Sequence, residues 1–99
     1  MDTTNLPKRI TPEIIEELIS EEHYYNLSNV INSKAERISL VTQCVLVLRN
    51  GFIVTGESAC ASKEIFTEEL GRKIAKENAF DKLYPILGYA LVDKQHCNK

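Results

Sequence analysis

From Ile38 to Leu48 the chain alternates with a period of two. Ile38, Leu40, Thr42, Cys44, Leu46 and Leu48 share one face; Ser39, Val41, Gln43, Val45, Val47 and Arg49 share the other. Asn50-Gly51 comes next, a dipeptide suited to a two-residue hairpin turn with positive φ at both positions. That turn predicts pairing of Arg49 with Phe52, Leu48 with Ile53, Val47 with Val54 and Leu46 with Thr55. It sets Gly56 opposite Val45, where a missing side chain permits close approach or a bulge. Near the tip both faces are apolar, and one helix layer covers only one of them. The second face therefore calls for another part of the chain, another subunit or a ligand.

A second pattern has helical spacing. Ser62 and Thr67 are successive N-cap candidates, and Phe66 is placed to staple the helix start. Leu70, Ile74, Ala75, Ala79 and Leu83 form the expected buried side. Gly71 within it costs about 1 kcal/mol relative to Ala, which argues for close packing against the sheet. Pro85 is expected to end the helix. Gly88–Val92 reads as a short third strand and the chain from Asp93 as a polar tail.

At the other end, residues 1–10 read as a loose arm. Thr11-Pro12-Glu13 is a helix start: a cap, a proline at the first helical position and an acid at the positive end of the dipole. Ile14, Ile15, Leu18 and Ile19 continue it to about His23 or Tyr24. Glu16, Glu17, Glu21 and Glu22 make an acidic outer face. Residues 26–37, rich in Asn and Ser, read as a loop with at most one helical turn. The expectation is a single α+β domain over 1–99: an N-terminal helix, an antiparallel hairpin with a short third strand, and a long C-terminal helix, with the hairpin–helix core at 38–92.

Composition narrows the chemistry. With 99 residues and a net charge of −2, the chain has a modest core and no global basic footprint for duplex nucleic acid. The apolar run Val45–Leu48 is far too short for a bilayer, and the N-terminus has no secretory apolar segment. Three cysteines (Cys44, Cys60, Cys97) without C-x-x-C spacing read as free thiols in a reducing cytosol. The predicted register pairs Cys44 with Glu57 and Cys60 with Val41, so no disulfide is expected.

No catalytic constellation is visible. Glu57 and Ser58 have no accompanying His and point to opposite faces. Gly56-Glu57-Ser58 lacks the spacing and lysine of a phosphate loop. His23 beside Glu21 and Glu22 falls short of a metal set. The expectation is a protein without enzymatic activity, cofactor or metal. Arg72 and Lys76, one turn apart and flanking Lys73, suit either a phosphate clamp or a solvated face with Glu68–Arg72 and Glu69–Lys73 pairs. Phe52 beside Arg49 suits either base stacking or cover for a sheet end or dimer contact. Candidate ligand residues are thus Arg49, Phe52, Arg72, Lys73 and Lys76, set where the long helix meets the hairpin tip. Candidate oligomer contacts are Val45, Val47, Phe52 and Val54.

Asn50–Cys60, Phe66, Gly71–Ala79, Pro85 and Gly88-Tyr89 resemble, in this order, the gene-product-49/66 family of small tailed-bacteriophage proteins. The resemblance covers about residues 38–92. Tyr84 stands where that family often has Trp, Leu87 where an acid is usual, and Ile65 where an Asn usually precedes the Phe. The resemblance implies a viral accessory protein made in the host bacterial cytoplasm, with no transferable catalytic residue. The hairpin-plus-helix outline and basic pair are also similar to phage Thoeris anti-defence proteins, which hold cyclic ADP-ribose signals. Of three competing function classes, the expected one is a non-catalytic accessory protein that counters bacterial defence by sequestering an anionic nucleotide signal, cyclic ADP-ribose-like or a cyclic oligonucleotide; the alternatives are a protein-binding inhibitor of a host defence or metabolic enzyme and a structural phage component. A homo-oligomer is expected in each, with no membrane partner.

Overall fold

The computed structural model describes residues 10–97; the arm at 1–9 and the last two tail residues lie outside them. The architecture is α+β. Helix α1 (Pro12–Leu18) leads directly into β1 (Ile19–Asn26). Two 3-10 turns (Leu27–Asn29 and Glu36–Leu40) carry the chain to β2 (Val41–Leu48), β3 (Ile53–Ala59) and α2 (Glu68–Cys97). The sheet is antiparallel with order β1-β2-β3, and α2 crosses one face, chiefly over β3 and then β2.

The hairpin closes differently from the expected turn. Leu48 N–H donates to the Phe52 carbonyl at 2.8 Å, and Gly51 N–H to the Leu48 carbonyl at 2.9 Å. Gly51 has φ +90°, while Asn50 keeps a negative φ and its side-chain oxygen accepts from Phe52 N–H. The loop is therefore three residues with a left-handed glycine, the bulged hairpin type. It shifts the register by one: Val47 pairs with Ile53, Leu46 with Val54, Cys44 with Gly56. A one-residue slip exchanges the two faces of a strand. The two-residue turn would have aimed Ile53, Thr55 and Glu57 at the helix, burying a carboxylate. The observed loop aims Val54, Gly56 and Ser58 inward, all buried, and leaves Glu57 in water. Val54 accordingly lies in the core, on the opposite face from Val45 and Val47.

The third strand comes from the N-terminal side. The expected helix stops at Leu18, because Ile19 turns extended (φ −81°, ψ 125°). Ile19–Asn26 then pairs along the free edge of β2, with an irregularity at Ser20. The helical apolar spacing ends at Ile19, and the unpaired edge of β2 decides the conformation of the residues beyond it. Strand β2 likewise begins at Val41 rather than Ile38, which lies in a 3-10 turn. Gly88–Val92, expected as a strand, is helical, and α2 continues through Pro85 to Cys97, across most of the expected tail. Pro85 removes one helical hydrogen bond. It does so at an exposed position, beside residues where α2 starts to leave the sheet, so water can satisfy the freed carbonyl.

Thr11 caps α1, accepting from Ile14 N–H, and Thr67 caps α2, accepting from Leu70 N–H at 3.1 Å. The core is Ile15, Cys44, Leu46, Leu48, Val54, Ala75, Ala79, Phe80 and Leu83. Leu70, expected in it, is 40% exposed. Two glycines let α2 sit close. A Cβ at Gly56 would collide with the Ala75 carbonyl oxygen and with the backbone N and Cα of Ala79. At Gly71 it would press on the Thr42 side chain and lie 3.3 Å from the Phe66 ring. The 30 residues of α2 span about 45 Å, against about 27 Å for an eight-residue strand. The C-terminal turns therefore project, and Tyr89 (75%) and Val92 (64%) are exposed there.

The two glycines respond differently to a methyl group. Gly56→Ala meets backbone that cannot rotate away and should cost about 3 kcal/mol. Gly71→Ala meets mainly a side chain and gains about 1 kcal/mol of helix propensity, leaving it within about 1 kcal/mol of neutral. Urea denaturation followed by circular dichroism measures both. Equal losses would contradict the close contact at Gly56.

Candidate functional site

Alternation along β1 sends Glu22, Tyr24 and Asn26 toward α2, since they pair with the inward residues Leu46, Cys44 and Thr42. They meet the α2 flank that carries Arg72 and Lys76. The Lys76 ammonium bonds Glu16 of α1 at 2.6 Å and Glu22 of β1 at 2.8 Å, and lies 5.6 Å from the Phe80 ring centre. The second Glu22 oxygen accepts from the Tyr24 hydroxyl at 2.9 Å. Arg72 stands 6.0 Å over the Tyr24 ring and 3.5 Å from Glu68.

The titrations reflect this belt. The Lys76 hydrogen bond holds the Glu22 carboxyl below its ordinary 4.5, against partial burial and with help from Tyr24. Partial burial opposes the charge of Lys76, but Glu16 and Glu22 together raise its pKa above 10.5. Burial, then the bond to Glu22, pushes the Tyr24 phenol well above its ordinary 10. Burial also raises the Cys44 thiol, so this cysteine is a poor nucleophile. Cys44 and Cys60 are both free thiols.

Beside the belt runs a groove of about 430 Å³ between α1 and α2. Pro12, Phe80 and Tyr84 line its apolar part; Glu16, Glu77 and Asp81 face Lys73 and Lys76 around it. Lys76 is already shared by two carboxylates. On the other side of Arg72 a smaller cleft of about 140 Å³ is lined by Tyr24, Tyr25, Asn26, Asn29 and Thr42.

The candidate ligand residues do not converge on one place. Arg49 is at the hairpin tip, where its Nε donates to the Glu17 carbonyl at 2.6 Å and its backbone N–H to that of Leu18 at 2.8 Å. Phe52 is 45% exposed at the same tip. Arg72 lies beside Thr42, at the far end of β2, roughly 20 Å of strand away. Lys73 and Lys76 are in the groove between. Val45 and Val47 are half-buried on the outer sheet face. Glu16, Glu22 and Tyr24 were legible only as a charged outer face and as part of a helix; the period-two series Glu22, Tyr24, Asn26 was their one signal. Among the described residues no three His, Cys, Asp or Glu side chains form a metal-ion group.

A family model described as phage protein (N4 Gp49/phage Sf6 gene 66) family matches residues 10–95. No curated protein and no solved structure matches the chain. Among the described residues no helix is long and apolar enough to cross a membrane.

The belt ties α1 and β1 to α2 and has a signed pH dependence. The folded pKa of Glu22 lies below its unfolded value, so its contribution is complete above about pH 4.5 and is lost as pH falls through the lowered folded pKa. Lys76 is the reverse: its contribution persists until pH rises past its raised pKa. Lys76→Met should cost about 1 kcal/mol at neutral pH, because the belt is partly solvated, and should flatten the acid limb of stability. A variant with the wild-type stability–pH curve would show that the belt contributes nothing.

Proposed function

The chain belongs to the phage protein (N4 Gp49/phage Sf6 gene 66) family, and we propose that this bacteriophage accessory protein counters host defence without catalysis. In this reading it acts in the host cytoplasm, needs no cofactor, and inhibits a host defence or metabolic protein by binding it. The groove between α1 and α2 carries the reading. Its apolar part, Pro12, Phe80 and Tyr84, lies beside an excess of carboxylates. Among the described residues neither Glu77 nor Asp81 has a salt-bridge partner. Glu13 and Glu17 extend the acidic surface along α1. A basic segment with an apolar anchor has the matching chemistry.

A second reading, sequestration of an anionic nucleotide signal such as a cyclic ADP-ribose-like molecule or a cyclic oligonucleotide, draws on Arg72. It stands over Tyr24 beside a polar cleft, with a guanidinium able to grip phosphate oxygens. Against it, Lys76 is already neutralised and Arg49 is distant.

Phage plating on a defence-bearing host that expresses the protein separates the two. The Glu77→Arg, Asp81→Arg variant should fold by circular dichroism and lose about tenfold or more of the protection, the effect of about 1.4 kcal/mol of binding. Arg72→Ala should retain protection. The opposite pattern would favour the nucleotide reading and sink the protein-partner one.

A further inference from the structure

The groove between α1 and α2 asks for cations next to apolar surface. Pro12, Phe80 and Tyr84 supply its apolar part. Glu77 and Asp81 are one helical turn apart on α2, and among the described residues neither has a salt-bridge partner. Of the two lysines that line the groove, Lys76 is taken up by Glu16 and Glu22, which leaves Lys73 facing the pair. Glu13, next to Pro12 in the first turn of α1, adds a further carboxylate at this end.

The chain carries a segment of the matching chemistry just ahead of the groove. Leu6-Pro7-Lys8-Arg9 sets two apolar residues directly before two cations. Ile10 packs on the core, and Pro12, which opens α1, is itself part of the groove wall.

We propose that Leu6–Arg9 of the chain itself occupies this groove, with Lys8 and Arg9 on Glu77 and Asp81 and Leu6-Pro7 on the apolar part. Three features select this segment. The first is charge: two adjacent cations meet two carboxylates about 6 Å apart along α2. The second is reach. Arg9 is three residues from Pro12, at most about 10 Å of chain, and Leu6 six residues, at most about 20 Å. The third is the tether. A segment held this close has a local concentration on the order of millimolar, so an intrinsic dissociation constant of about 0.1 mM already fills the groove about nine-tenths of the time. Pro7 also lowers the entropy lost on ordering. A consequence follows for the host protein, and it rests on the protein-partner reading: a basic segment from outside must displace the chain's own, which weakens its apparent binding about tenfold. The docking itself is measured on the isolated chain and stands or falls apart from that reading.

The test is zero-length carbodiimide cross-linking of the full chain, mapped by peptide mass spectrometry, with a mixture of isotopically light and heavy protein. The Lys76–Glu16 contact at 2.6 Å is the internal control. Lys8 should link to Glu77 or Asp81 within one copy, at a yield unchanged by tenfold dilution. The Lys8→Glu, Arg9→Glu variant should keep its circular dichroism spectrum and move the amide resonances of Glu77, Phe80 and Asp81; if it fails to fold, the wild-type cross-links decide alone. Three results would overturn the proposal. One is a Lys76–Glu16 link without any from Lys8 to Glu77 or Asp81. Another is a Lys8 link found only between light and heavy copies. The third is a folded variant whose Glu77, Phe80 and Asp81 resonances stay where they are in wild type.

Discussion

The contact between Gly56 and the α2 backbone at Ala75 and Ala79 is what the other packing depends on. It is backbone against backbone, so no rotamer change relieves it. It brings α2 low over β3, which closes the core with small side chains: Ala75 and Ala79 are fully buried. Larger residues, Ile15, Leu46 and Leu83, fill the space on either side. The contact also gives a reason for the hairpin register. Only with Cys44 opposite Gly56 does the glycine lie on the helix side of the sheet, and that pairing needs the three-residue loop with Gly51 at positive φ.

Placing α2 over β3 and β2 leaves the inner face of β1 short of apolar cover. The chain fills that space with polar groups. Lys76 reaches from α2 to Glu16 and Glu22, and Tyr24 completes the second oxygen of Glu22. Partial solvation keeps the desolvation cost of this belt small, and its worth is correspondingly modest. Its larger effect is on what the surface presents. The lysine at the centre of the basic helix face is shared by Glu16 and Glu22, and the neighbouring groove sets Glu16, Glu77 and Asp81 against Lys73 and Lys76. A face that looks cationic in the sequence carries a small excess of carboxylates in space.

The same offset governs the opposite side. With the helix over the β3 edge, its flank stands beside unpaired backbone groups, and the long overhang beyond Pro85 carries Tyr89 and Val92 away from the core.

The sequence by itself determined what local chemistry specifies. The caps at Thr11 and Thr67, the alternation of β2, the existence of a hairpin at Asn50-Gly51 and the need for Gly56 and Gly71 are all legible in residue types and spacing, as is the family resemblance over the second half of the chain. Tertiary structure decided the rest. Ile19–Asn26 is a strand because β2 offers an edge there, although its inner positions are Glu22, Tyr24 and Asn26 and give no apolar alternation to read. Gly88–Val92 stays helical through Pro85 because α2 has by then run past the sheet and the hydrogen bond lost at the proline faces water. Only burial could choose between two hairpin loops that suit the same Asn-Gly, since the losing register places Glu57 under the helix. Finally, the candidate site dispersed because charge pairing is a property of distance: Lys76 and Glu22 are 54 residues apart in sequence and in contact only because the helix crosses the sheet where it does.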